Sequence, residues 1–155
     1  MILISSLIFN AELLIVEDEE SEAELCAKAL SACSYGKRVC FLKNGQELLD
    51  YLNCVGKYKE RSVANNYLIK LVLLDIHMPV LSGLEALKVV KSNDTLKHVP
   101  IVMLANTQTP EDITQSYHLG ANSFIFKSID FKQFKADIDV LLDYWFIYNQ
   151  TVSCI

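Results

Sequence analysis

The chain has 155 residues, of which 52% are hydrophobic and 21% charged. That suffices for one domain burying roughly two-thirds of its unfolded surface, and it is too apolar for a disordered polymer. The net charge of −5, with no Lys/Arg cluster, argues against nucleic acid as a direct partner, which needs a basic footprint, and suits a site that attracts a cation.

The first segment, MILISSLIF, is apolar but lacks a basic flank and a small-residue cleavage pattern, and it is too short to span a bilayer. It reads as an extra arm over residues 1–10, or as an artefact of the gene start, ahead of a domain over 11–147 and a short tail over 148–155. Beyond it, apolar runs of strand length alternate five times with helix-period segments. The predicted strands are Glu12–Val16, Arg38–Leu42, Ile69–Leu74, Ile101–Leu104 and Ser123–Phe126. The first and middle runs are continuous in Leu, Ile and Val, as strands covered on both faces should be.

Helix starts are marked in turn. Ser21 precedes AELCAKAL, with Glu22 and Glu24 in the first turn, where the helix dipole favours anions. Asn44-Gly45 opens QELLDYL, and Ser82-Gly83 opens LEALKVV. Thr109-Pro110-Glu111-Asp112 reads as an N-cap, a proline at N1 and two acids; Gly120 is a stop, and Asp130 caps the last helix. The stretch Gly56–Tyr67 reads as an irregular, solvent-exposed polar loop. Such alternation implies a parallel sheet with helices on both faces.

In the last helix Phe131, Phe134, Ile138, Leu141, Leu142 and Trp145 form one stripe, while Val140, Tyr144 and Ile147 fall on the other side. A helix apolar around so much of its circumference buries more than one face, which points to a homodimer through this region. The five cysteines, Cys26, Cys33, Cys40, Cys54 and Cys154, are odd in number and lack metal spacing. They read as free thiols in a reducing cytoplasm. His77, His98 and His118 lie far apart in sequence, which makes a histidine metal site a poor expectation.

The chemistry sits at strand ends. LVLLD ends on Asp75, LLIVED on Glu17 and Asp18, and FIFK on Lys127. Open α/β sheets place their sites at the carboxyl ends of strands. Three neighbouring carboxylates repel one another and stay ionised together only beside a cation; oxygen-only ligands suit Mg2+. Lysine adds a point charge for a phosphoryl group, so the set has the parts of a carboxylate that attacks phosphorus.

From Glu12 to about Trp145 the chain resembles the receiver domain of two-component response regulators, through LLIVEDEE, LLDIHMPVLSGLEAL, VPIVMLA and LGANSFIFK in that order. The resemblance implies a flavodoxin-like doubly wound fold with strand order 2-1-3-4-5 and Asp75 as phosphoacceptor. It further implies Mg2+ on Glu17, Asp18, Asp75 and the His77 carbonyl, Lys127 on the phosphoryl group, and Phe124 as the switch aromatic. NGQELLDYLNCVGKY, NDTLKHVPIVML, SYHLGAN, Lys127-Ser128 and the helix ending in Trp145 are similar to the small, dimeric regulators partnered with cyanobacterial phytochromes.

Two positions depart from the family. Ala105 stands where a Thr or Ser donates to the phosphoryl group, and alanine has no donor; Thr107 is a poor substitute. Ser128 follows Lys127 where most receivers carry proline, so the family's cis bond is not expected. The resemblance implies a non-enzymatic regulator phosphorylated by a sensor histidine kinase. With about ten residues after Trp145, its output would be protein–protein contact. The competing reading is a docking or dimerisation module that no longer switches. A dehalogenase-like phosphatase would need a second acid at His77, and a nucleotide binder a glycine-rich turn at EDEES; neither is present.

Overall fold

The computed structural model describes residues 8–31 and 38–153. Five parallel strands run in the order β2-β1-β3-β4-β5. They are β1 (Leu13–Val16), β2 (Val39–Leu42), β3 (Leu71–Asp75), β4 (Ile101–Ala105) and β5 (Ser123–Phe126). Between and after them run α1 (Glu20–Ser31), α2 (Gly45–Asn53), α3 (Gly83–Ser92), α4 (Pro110–His118) and α5 (Phe131–Asp143), the last widening into a π-turn over Tyr144–Tyr148. The expected architecture and strand order are present. Among the described residues, no helix is long and apolar enough to cross a membrane.

The continuous apolar runs are explained by two cores, one on each face of the sheet. Leu14, Val16, Val72, Leu74, Ile101 and Met103 face α2 and α3, meeting Leu48, Leu52, Leu87 and Val90. The alternate residues Leu13, Ile15, Leu71, Leu73, Val102 and Leu104 face α1 and α5, meeting Ala29, Leu30, Phe134, Ile138 and Leu142. Period-2 side-chain alternation sends each run to both cores, and no strand residue of β1, β3 or β4 can be polar without facing helices. On α5 the predicted stripe is packed, with Phe131 and Trp145 at its margins. The opposite residues Val140, Tyr144, Ile147 and Tyr148 are exposed.

The capping signals act largely as read. Asn44 accepts from Glu47 N, Thr109 from Asp112 N and Asp130 from Lys132 N. Ser82 and Glu85 form a reciprocal capping box on α3. Gly120 adopts φ +102°, the left-handed conformation that ends the α4 region. Ser21, however, lies inside α1, which starts at Glu20. Cys26 and Cys40 are buried free thiols and Cys54 is half-buried. Burial pushes Cys26 and Cys40 up to about 12 and about 11. Cys33 and Cys154 lie outside the described residues.

The expectation of an exposed loop over Gly56–Tyr67 holds for Lys57, Lys59, Glu60, Ser62, Val63 and Ala64 and is corrected at three residues. Two 3-10 turns, Gly56–Tyr58 and Val63–Leu68, fold it against α2, and Tyr58, Arg61 and Asn66 are buried. The Arg61 guanidinium stacks 3.6 Å from the Tyr51 ring centroid. It donates to Phe9 O (3.0 Å), Asn66 Oδ1 (3.1 Å) and the Tyr51 carbonyl. Tyr51 Oη donates to Ile8 O at 2.6 Å. The described end of the N-terminal arm is thus tied to the domain, with Ile8 and Phe9 packed on the core. A planar cation with several fixed donors satisfies carbonyls that a shorter or apolar side chain would leave bare. Replacing Arg61 by leucine should lower stability by about 2–4 kcal/mol, read as a drop in the urea midpoint at unchanged slope.

Candidate functional site at the strand carboxyl ends

Parallel strands deliver their last residues to one edge. Glu17 and Asp18 follow β1, Asp75 closes β3, Ala105 closes β4 and Lys127 follows β5. Registers Val16↔Leu74, Asp75↔Leu104 and Ala105↔Phe126 set these residues side by side. One carboxylate oxygen from each of Glu17, Asp18 and Asp75 lies within 4.8 Å of the other two. Glu17 and Asp75 are buried and Asp18 is exposed, so the cluster is open on one side. The three predicted acids and the lysine are therefore brought together.

Lys127 is 5% exposed and donates to Glu17 Oε2 at 2.6 Å and to Glu22 Oε2 at 3.2 Å. It acts on Asp75 through charge, while its hydrogen bonds go to Glu17 and Glu22. Glu17 also accepts from Glu19 N at 3.2 Å. Burial raises the Glu17 carboxyl above its ordinary range although Lys127 pulls it down. Lys127 itself is raised, its acid neighbours outweighing burial. Asp75 is pushed up to about 7, first by burial and then by the charge of Glu17. The cluster is thus short of positive charge: one lysine faces several acids. An oxygen-only donor set with excess negative charge fits a hard divalent cation such as Mg2+.

The turn after β3 is shaped by backbone demands. A side chain at Gly83 would collide with the carbonyl oxygen of Asp75, so only glycine lets α3 start this close to the strand. Gly83 N donates to Ile76 O at 2.8 Å, closing the turn. Val80 sits in it at φ +68°, an unfavourable region for a β-branched residue, and is exposed. His77 projects outward, its Nε2 3.3 Å from Asp112 Oδ2 in the first turn of α4.

Ala105 is buried in the core on the sheet face that carries α2 and α3 and supplies no hydroxyl, while Thr107 is exposed. Phe124 is half-buried and lines a groove with Gln133, Val140 and Leu141. The Lys127–Ser128 bond is trans, as among all described residues no cis peptide occurs. Sequence reasoning missed two contacts. Glu22 was read only as a helix-dipole residue, although an acid in the first turn after a strand end faces the same edge. The His77–Asp112 pair joins residues 35 apart, and no local signal could have found it.

The family model of the response regulator receiver domain matches residues 13–139. The chain belongs to this family of two-component signalling proteins. The probable methanogenesis regulatory protein FilR2 of Methanothrix harundinacea is 27% identical over 139 residues, covering 90% of this chain and 86% of the relative. Response regulator Rcp1 of Synechocystis is 27% identical over 133 residues, covering 86% and 87%. The Mn2+-bound structure of Rcp1 superposes with TM-score 0.80 at 25% identity, over 91% of this chain and 98% of that one. The phosphorylated cyanobacterial phytochrome response regulator RcpA superposes with TM-score 0.81 at 28% identity, over 92% and 99%.

The raised Asp75 yields a signed prediction. In the metal-free protein its contribution to stability is present below about pH 4 and is lost as pH rises through about 7, whereas a cation needs it ionised. The Mg2+-induced rise in Tm should therefore be small near pH 5.5 and grow to a plateau by about pH 8. Asp75→Asn should remove most of that pH dependence, as measured by thermal melts with Mg2+ against EDTA.

Proposed function

We propose that the domain accepts a phosphoryl group on Asp75 from the phosphohistidine of a sensor histidine kinase. The observation that carries this reading is the convergence of Glu17, Asp18, Asp75 and Lys127 at one sheet edge. In the proposed reaction an oxygen of the Asp75 carboxylate attacks phosphorus. The P–N bond breaks with its electron pair left on the imidazole, and an acyl phosphate remains. Glu17, Asp18, Asp75 and the backbone carbonyl of His77 would hold Mg2+, which would supply positive charge against the phosphoryl oxygens. Lys127 neutralises a further phosphoryl oxygen. RcpA is described as a phytochrome response regulator, which favours a phytochrome-like kinase as donor. This reading implies a cytoplasmic regulator whose output is protein contact.

Purified protein incubated with Mg2+ and acetyl phosphate should gain the mass of one phosphoryl group. The gain should vanish with EDTA and in Asp75→Asn. A folded wild-type protein that gains no mass with acetyl phosphate or phosphoramidate would overturn the proposal.

A second reading, that the domain docks or dimerises without switching, is favoured by Ala105, which lacks the donor that moves its loop toward a phosphoryl group. The two readings share one surface. Val140, Tyr144, Ile147, Tyr148 and Val152 are exposed beside the packed face of α5; we infer that a second copy covers them. Light scattering should give a dimer mass for the wild type and a monomer mass for Val140→Glu combined with Tyr144→Glu, with the helical circular-dichroism signal retained.

A further inference from the structure

Lys127 is a buried cation with two acid partners of different standing. Glu17, at 2.6 Å, belongs to the carboxylate cluster; Glu22, at 3.2 Å, does not, and its side chain is 24% exposed in the first turn of α1. Glu22 and Lys127 line one groove together with Asn106 and Ser128, so the lysine head has space on the α1 side of the pocket. A cation held on Glu17 competes with a metal for the same carboxylate. Removing the only partner of a buried lysine is strongly unfavourable, because an uncompensated charge remains. With two partners the lysine can let go of one and keep the other.

We propose that Glu22 is a positioning residue for Lys127: it receives the ammonium when Glu17 turns to the metal. This rests on the Mg2+ reading of the carboxylate cluster given above. In the metal-free state Lys127 bridges Glu17 and Glu22 and shields the cluster. When Glu17 turns outward to a divalent ion, Lys127 shifts its weight to Glu22 and stays inside the pocket, within reach of Asp75. Without Glu22, Glu17 is, among the described residues, the only acid in hydrogen-bond contact with Lys127, and metal binding must break that buried pair outright. Glu22 therefore acts through the lysine, not on the ion.

The test is a double-mutant cycle on Mg2+ affinity, read from backbone amide signals during titration of wild type, Glu22→Gln, Lys127→Met and the double variant. Glutamine is isosteric and the residue is partly exposed, and the same spectra report whether each variant is folded. Glu22→Gln should weaken Mg2+ binding by about two- to tenfold, and the effect should disappear in the Lys127→Met background. An equal weakening in both backgrounds would show Glu22 acting through space on the ion, and no weakening in either would show it idle; each overturns the proposal. A wild type with no saturable Mg2+ response would overturn the metal reading of the cluster and this inference with it. Normal wild-type binding with an additive cycle would overturn this inference alone.

Discussion

The structure turns on the burial of carboxylates at the ends of β1 and β3. A buried, uncompensated carboxylate is unfavourable by several kcal/mol, yet Glu17 and Asp75 are held within 4.8 Å of each other and of Asp18. Lys127 is the local answer, reaching from the end of β5 to Glu17. One lysine cannot neutralise this set, and the remaining imbalance appears in Asp75, pushed up to about 7. The parallel register that aligns the strand ends, and Gly83, which lets α3 begin against the Asp75 carbonyl, both maintain this unfavourable grouping. The energy comes from the two apolar cores. Strands buried on both faces are stable enough to hold acids together at their tips.

This division of labour explains what could be read from the sequence. Strands β1, β3 and β4 are legible because residues facing both cores must be apolar, and their runs end where the polar edge begins. Asp75, Glu17, Asp18 and Lys127 are legible for the same reason: each is a charge abutting such a run. The segment 56–68 misled at three positions: most of it is exposed, as its polarity implies, while Tyr58, Arg61 and Asn66 are buried. Arg61 and Asn66 are buried by hydrogen bonds to main-chain atoms of residues 9, 51 and 52. Local composition carries no trace of partners so far along the chain. Glu22 was hidden differently, since its first-turn position has a sufficient local explanation in the helix dipole.

Ala105 bears on how the edge communicates with the helices. A hydroxyl at that position would tie β4 to a phosphoryl group through a hydrogen bond to a charged acceptor, worth about 1.5–3 kcal/mol. Alanine leaves the nucleophile, the acids and the lysine untouched, so the chemistry and the mechanical response become separable. A side-chain contact that does join the edge to α4 is the His77–Asp112 pair at 3.3 Å. The His77 side is largely exposed, and such contacts are weak in water. The loop after β3 is therefore tied only lightly to α4.

In the proposed reaction Lys127 would carry more of the response than it would in a chain with the hydroxyl. It is the one buried cation described at this edge, and it already touches residues from β1 and α1. Any new anion beside Asp75 must draw on the same ammonium, and the hydrogen bonds to Glu17 and Glu22 weaken as it does so. A shift of Lys127 would thus be felt along β5 and at the start of α5, whose outer face exposes Val140, Tyr144 and Ile147. The local charge balance and the apolar face share one strand–helix unit. A signal entering at Asp75 and a partner docking on α5, as proposed above, would be coupled to the extent that β5 moves with its lysine.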